Sequence, residues 1–182
     1  MIISQELRKT NIAEYVLYMW QTEDQIRAFG IDIEQIKSKI VENYQVDDEL
    51  KKQIEEWYSN IIQMMELEGI EKQGHLQVIK NIVSDIDDLH LRLLAMSSEY
   101  KYQKAYADAL PHITLLKGKI NNAEMSDVDV CLHGLYGILL LRIKKIKITE
   151  DTNNSVNVIK EMISLLAARY NEREKSPERF YE

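Results

Sequence analysis

Residues 126–148 of the chain read SDVDVCLHGLYGILLLRIKKIKI, and this stretch decides the fold. Its apolar residues recur at spacings of three and four, and further apolar residues widen the stripe until little polar surface remains in the middle. Ser126 is placed to cap a helix, and the basic residues from Arg142 onward suit the negative end of the helix dipole. Since a helix that is apolar nearly all round packs inside other helices, we predict that it lies at the centre of a helical bundle.

The composition agrees with a single all-α domain. The chain has 182 residues, of which 45% are hydrophobic, with only 6 Gly and 2 Pro. A chain of this length can bury a sizeable core, and so little Gly and Pro does not suit a turn-rich β fold. We predict a single-domain antiparallel bundle of six or seven helices over residues 1–172, followed by a charged, disordered tail over residues 173–182.

Local signals mark where the helices begin and end. Capping patterns at Asn11, Asp32 and Asp47 start the first three helices, and the first of them is expected to run from about residue 12 to residue 29. Residues 1–10 are predicted to be a short lead-in to that helix.

The fifth predicted helix spans residues 100–120 and contains Pro111. Because proline lacks the backbone N–H that the helix needs, it usually kinks or restarts a helix. We therefore predict a Pro-kinked fifth helix or two abutting pieces, followed by a turn at residues 121 and 122.

Charge and cysteine content limit the partners and the compartment. The net charge of -7 opposes binding to nucleic acid. The longest purely apolar run, residues 138–141, is far short of the roughly 20 residues that a membrane span requires, and the N-terminus has no apolar stretch of signal-peptide length. A single cysteine, Cys131, cannot form an intramolecular disulfide. We expect a cytoplasmic protein that binds neither nucleic acid nor membrane and uses no cofactor.

Each of the four histidines follows a carboxylate by three or four residues. The pairs are Glu71 with His75, Asp87 with His90, Asp108 with His112, and Asp129 with His133. Such pairs share a helical face, and di-iron bundles use a carboxylate and a histidine three residues apart. Only Asp87 and His90 have that spacing, and the other ligands of a di-iron site are missing. His90 is therefore predicted to be a hydrogen-bonded histidine in a helix seam.

A second carboxylate pattern offers an alternative metal site. Glu68, Glu71, Asp85 and Asp88 are similar to the carboxylates with which all-α nucleotide pyrophosphohydrolases hold Mg²⁺, two pairs one turn apart on two helices. Gly69 lies between the first two carboxylates, so that pair is expected in a loop. A metal-dependent hydrolase, with Mg²⁺ or two metal ions held either by these carboxylates or by the histidine and aspartate pairs, is an alternative hypothesis for the function.

Polar residues that interrupt apolar stripes are candidates for a binding site, because buried polar groups need partners. The candidate polar site consists of Glu14, Asp24, Arg27, His75 and His90. A pocket between helices near Trp20 and His90 would make the protein a small-ligand binder, which is a further alternative.

The leading hypothesis is a non-enzymatic bundle that acts through protein contact, as a homodimer. It follows from a surplus of apolar and aromatic residues over any recognisable site, and aromatic residues are enriched at interfaces. Tyr100, Tyr102 and Tyr106, on the fifth predicted helix, are the candidate interface.

Four stretches cover much of the chain and carry a family resemblance. They are residues 11–28 (NIAEYVLYMWQTEDQIRA), 68–77 (EGIEKQGHLQ), 89–94 (LHLRLL) and 132–143 (LHGLYGILLLRI). With these stretches the chain resembles an uncharacterised bacterial family of all-helical cytosolic proteins of about this length, a domain of unknown function. The resemblance implies one family domain with no established activity, and it carries no functional residues over to this sequence.

Overall fold

The computed structural model describes residues 2–120, 124–176 and 180, with only the backbone of residue 2, and within these residues the chain forms helices and no β-strand. The helices are α1 (Ile2–Thr10), α2 (Ile12–Ala28), α3 (Ile33–Lys39), α4 (Asp48–Leu67), α5 (Gln77–Ala95), α6 (Tyr100–Ile120), α7 (Asp127–Ile143) and α8 (Glu150–Lys175). A short 3₁₀ turn (Val41–Asn43) follows α3. The predicted all-α class is confirmed.

The helices pack into one bundle around a continuous core. α8 lies along α6 and also contacts α2, α5 and α7, while α1 packs on α2, and α4 contacts both α2 and α3. The largest fully buried side chains are Trp20, Tyr58, Tyr102 and Tyr170. Removing such side chains from water is the main stabilising contribution, at about 25 cal/mol per Å² of apolar surface. None of the helices in the described residues is long and apolar enough to cross a bilayer.

Two details of the predicted helices differ from the structure. Residues 2–10 form α1 instead of a lead-in, so the described chain has eight α-helices where six or seven were predicted. The predicted alternative of two abutting helices is wrong, because α6 runs without interruption from Tyr100 to Ile120 through Pro111. α6 packs against α7 and α8, and the proline removes only one backbone hydrogen bond of the helix.

Two further predictions fall at the edges of the described residues. The predicted turn at residues 121 and 122 lies outside them. α8 extends to Lys175, so the first residues of the predicted tail are helical. Residues 177–179 and 181–182 of the tail also lie outside the described residues. The predicted disorder of the tail therefore stays a prediction.

α7 is enclosed along only half of its length. Its buried positions all lie in its first ten residues, at Val128, Val130, Cys131, Leu132 and Tyr136. Beyond Tyr136 the apolar residues are half-buried, and Ile143 is 54% exposed. The prediction that neighbouring helices surround the whole of α7 is therefore wrong for its second half. α6 and α8 flank that half, but no helix in the described residues covers its outer side.

Hydrogen bonds at the helix ends explain where α7 starts and stops. Ser126 accepts a hydrogen bond from the backbone N–H of Asp129, which confirms the predicted cap. At the other end, the N–H of Ile146 donates to the carbonyl of Leu141 at 2.9 Å, while Lys145 has a positive φ of 55°. This is a Schellman end with lysine at the position that glycine usually occupies.

Replacing Lys145 with glycine is expected to stabilise the fold by about 1 kcal/mol, because glycine adopts a positive φ without the steric cost of a side chain. Lys147→Gly is the matched control, since it removes the same charge where φ is not positive, and we expect no gain from it. Urea unfolding followed by circular dichroism measures both variants. A Lys145→Gly midpoint at or below that of the wild type would contradict this account of the helix end.

Candidate functional site: a polar cleft between α2, α5 and α7

A cleft of about 480 Å³ lies between α2, α5 and α7. Three aromatic rings line it: Trp20 on α2, His75 just before α5, and His133 on α7. The centroid of the Trp20 ring lies 4.5 Å from that of His75 and 4.5 Å from that of His133, and the two imidazoles are 6.0 Å apart. Trp20 is buried, whereas both histidines are partly exposed. The three rings therefore form one contiguous aromatic floor.

A buried carboxylate holds His75 in place. Glu23, one turn after Trp20 on α2, has no exposed surface. Its Oε2 accepts a hydrogen bond from Nδ1 of His75 at 2.6 Å, and its Oε1 accepts one from the backbone N–H of Leu76 at 3.0 Å. Both carboxylate oxygens are thus satisfied, as burial of a charge requires. The imidazole is fixed with its Nε2 left for other partners.

The loop that carries His75 is also tied to α2 by Arg27. The guanidinium donates to the carbonyl oxygen of Ile70 at 3.2 Å and to that of Gly74. Arg27 also pairs with Asp24 at 2.9 Å, and Asp24 accepts a hydrogen bond from the hydroxyl of Tyr136 on α7 at 2.6 Å. One turn of α2 therefore positions both the loop before α5 and the middle of α7.

Asp129 fixes the second imidazole. Nδ1 of His133 lies 3.0 Å from the carboxylate and 3.0 Å from the carbonyl oxygen of Asp129, one turn earlier on α7. Burial lowers the pKa of His133, but these hydrogen bonds outweigh burial and raise the pKa above its ordinary value. The protonated ring is thereby favoured.

His90 belongs to a separate buried cluster. Its Nδ1 lies 2.5 Å from the hydroxyl oxygen of Tyr102, and its ring packs against Tyr106, whose hydroxyl donates to Asp127 at 2.7 Å. Burial lowers the pKa of His90, which favours the neutral ring, so the Tyr102 hydroxyl donates to Nδ1. As predicted, His90 is a hydrogen-bonded histidine between helices.

A model of one protein family, described as Domain of unknown function (DUF4924), matches residues 1–177. The chain belongs to the DUF4924 family. The match covers all eight helices, so the cleft is part of the DUF4924 domain itself. No curated protein and no solved structure matches the chain.

The carboxylates of the alternative magnesium site have separate roles in this DUF4924 domain. Asp85 pairs with Arg173 of α8 at 2.6 Å, and Glu68 accepts a hydrogen bond from a backbone amide at 2.7 Å. Glu71 and Asp88 are exposed. Among the described residues, no three His, Cys, Asp or Glu side chains are grouped so that they could hold a metal ion. The pattern that resembled a hydrolase site is thus dispersed.

The predicted polar site is brought together only in part. Asp24, Arg27 and His75 meet at the junction of α2 with the loop before α5. Glu14 instead lines an apolar groove on another face, and His90 lies in its own cluster. Only three of the five residues predicted for the polar site therefore meet in the DUF4924 domain.

Glu23, which holds His75 in place, and His133, which lines the cleft, were not among the predicted site residues. Glu23 lies three residues after Trp20 and three before Ile26, so Glu23 occupies a position of the apolar stripe of α2. A carboxylate at such a position could have revealed the site from the sequence, because a buried carboxylate needs a hydrogen-bond partner in the core. His133 was noted only as half of a local pair with Asp129, and the structure shows that pair intact.

The three candidate interface tyrosines differ in their exposure at the surface of the DUF4924 domain. Tyr102 is 1% exposed and packs in the core, which excludes it from contact with a partner. Tyr106 is half-buried against His90. Tyr100, at the start of α6, is 71% exposed, and its use by a partner stays a prediction.

Replacing Glu23 with alanine is expected to lower the free energy of unfolding by about 3 kcal/mol, because it leaves the Leu76 amide and the His75 ring without an acceptor. Glu66→Ala, at an exposed position of α4, is the control and should change stability by less than about 0.5 kcal/mol. Chemical denaturation measures both. Equal midpoints for the two variants would show that Glu23 does not hold the loop.

The buried His90 predicts a pH dependence of stability. Because its pKa in the folded protein lies below the unfolded value of about 6.5, the unfolded chain takes up a proton first as the pH falls. The free energy of unfolding of the wild type should therefore fall, relative to that of His90→Gln, between about pH 7 and about pH 5. Tyr102→Phe keeps the buried ring and should keep the dependence. Parallel pH profiles for wild type and His90→Gln would refute the assignment.

Proposed function

We propose that the protein acts through self-association, as a homodimer that pairs the outer side of α7. We call this surface the α7 face and define it by Ile138, Leu139, Ile143 and Ile146. Ile143 is 54% exposed and Ile146 is 49% exposed, although they belong to the most apolar stretch of the sequence. This exposure is the observation that carries the proposal, since soluble proteins place contiguous apolar surface mainly at contact sites.

Grooves on either side of α7 support the proposal that the α7 face pairs with itself. One groove of about 320 Å³ lies between α2, α7 and α8, and another of about 250 Å³ lies between α6, α7 and α8. Leu135, Ile138 and Val156 line both grooves. In a two-fold dimer each copy presents the same surface to the other, so the protruding Ile143 of each copy can enter an apolar groove of its partner.

The charges beside the α7 face also favour pairing of two copies. Exposed basic residues from Arg142 to Lys147 end the α7 segment, and Glu150 and Asp151 begin α8 directly after them. A two-fold axis across the α7 face can bring the basic turn of one copy to the acidic turn of the other. Such pairs lie at the polar rim, where they fix the register of an apolar contact.

α6 offers apolar surface next to the same grooves. Leu115 of α6 is 65% exposed and lines the groove between α6, α7 and α8. The sequence placed the candidate interface on this helix, at Tyr100, Tyr102 and Tyr106, and Leu115 adds an exposed apolar residue of the same helix. The surface available for contact thus includes two helices, as an interface of ordinary size requires.

Ile143→Glu should weaken dimerisation by about a hundredfold, because the symmetric contact would bury two unpaired carboxylates. Leu67→Glu is the matched control, since Leu67 on α4 is 87% exposed and distant in the fold from α7. Sedimentation equilibrium over a range of concentrations measures the three proteins.

We expect wild type and Leu67→Glu to dimerise and Ile143→Glu to remain monomeric with an unchanged circular dichroism spectrum. A wild type that is strictly monomeric at high micromolar concentration would overturn the proposal. An Ile143→Glu variant that dimerises as well as Leu67→Glu would place the contact on another surface.

A further inference from the structure

The polar cleft holds two imidazoles that, within the described residues, each keep one ring nitrogen free for a ligand. Because Nδ1 of each ring contacts a carboxylate, Nε2 donates a hydrogen bond when the ring is protonated. Nδ1 of His75 and Nδ1 of His133 each contact a carboxylate, and the Nε2 atoms of both rings have no partner among the residues that the structure describes. The indole N–H of Trp20 is buried and has no acceptor within those residues either. A buried donor without a partner costs about 1–3 kcal/mol, so its presence marks a place where a partner is missing.

The carboxylates of the cleft are already engaged. Glu23 and Asp129 accept from the two histidines, and Asp87 accepts from the hydroxyl of Ser126. Lys80, on the α5 side, is exposed and makes no ion pair with any described residue. What the cleft can still offer to a ligand is therefore the Nε2 atoms of its imidazoles, which donate when the rings are protonated, and the ammonium group of Lys80.

We propose that the cleft binds a small anionic ligand, whose carboxylate or phosphate oxygens accept hydrogen bonds from the Nε2–H groups of His75 and His133 in their protonated forms. Lys80 supplies a further positive charge at the same cleft. The volume of about 480 Å³ falls in the usual range of small-molecule sites and exceeds what a bare oxyanion fills. The ligand therefore has an organic part as well as its anionic group. This site is separate from the α7 face and does not rest on self-association.

Two acidic residues restrict the rest of the ligand. Asp87 and Glu124 also line the cleft. Their negative charge disfavours a second anionic group at the opposite end of the ligand, because like charges repel. A ligand with one anionic end and a neutral or cationic remainder satisfies both parts of the cleft.

Protonation of the imidazoles adds a second expectation. An imidazolium donates from Nε2 and attracts an anion, so the proton on His133 and the anion favour each other. The titratable and charged groups that face the rings are Glu23, Lys80, Asp87, Glu124 and Asp129. Burial raises the pKa of Asp87, so any loss of its charge at lower pH acts in the same direction. Affinity for an anion should therefore rise from about pH 8 to about pH 6.

Fluorescence of Trp20 provides a direct test. The chain has two tryptophans, so the Trp57→Phe variant leaves Trp20 as the only one. Three probes share one aromatic ring and differ only in the charged group: benzoate, phenyl phosphate and benzylammonium. We expect a saturable change of Trp20 emission with benzoate, phenyl phosphate or both, and none with benzylammonium. A response to only one of the anions identifies the kind of oxyanion that the cleft prefers.

Substitution of the histidines completes the test. In the same background, His75→Gln and His133→Gln should each weaken anion binding by about tenfold, since each removes one charge-assisted hydrogen bond. His112→Gln is the matched control, because His112 lines the groove between α6, α7 and α8, and should leave the affinity unchanged. The proposal is overturned if neither anion gives a saturable response, if benzylammonium binds instead, or if His133→Gln binds as tightly as His112→Gln.

Discussion

The fully buried carboxylate of Glu23 is the constraint on which the polar side of the bundle depends. Moving a carboxylate out of water costs several kcal/mol unless its oxygens are paired. Its partners, His75 and the amide of Leu76, lie 52 and 53 residues further along the chain. Satisfying one charge on α2 therefore fixes the connection between α4 and α5. Because Trp20 stacks on the same imidazole, the position of the cleft follows from that pairing.

α7 combines two surfaces of opposite character. Its first half supplies Asp129 and His133 to the polar cleft and otherwise packs into the core. Gly134 lies where α6 approaches closely, since a Cβ there would come within 2.8 Å of Leu116, and the missing side chain lets the two helices pack tightly at this point. Beyond Gly134, the apolar residues of this segment continue past the part that α6 and α8 cover. Residues 137–141 are therefore partly buried, whereas Ile143 and Ile146 lie exposed in the part of the chain that the structure describes.

Local features of the sequence were predictable, and features set by distant parts of the chain were not. The caps at Asn11 and Ser126 and the helical stripes depend on neighbours within one turn, so spacing alone revealed them. The partner of His75 could not be found in that way, because spacing indicated Glu71 and the structure pairs the ring with Glu23. The exposure of Ile143 escaped prediction for a related reason. Hydrophobicity shows that a helix gains by burial, but not how far its neighbours extend beside it.

The two proposed sites share α7 and yet have separate structural supports. His133 and Ile143 are ten residues apart on one helix, which corresponds to about 15 Å along its axis. Between them Tyr136 donates to Asp24 of α2 and fixes the middle of α7 to the bundle. Among the described residues, the grooves beside the α7 face and the cleft have no lining residue in common, so a contact on the α7 face leaves the cleft open and its two histidines in place. For occupancy of one site to change the other, α7 would have to move as a unit, and that movement would break the hydrogen bond between Tyr136 and Asp24. In the proposed dimer each copy therefore has its own cleft, and the two copies do not share a single site.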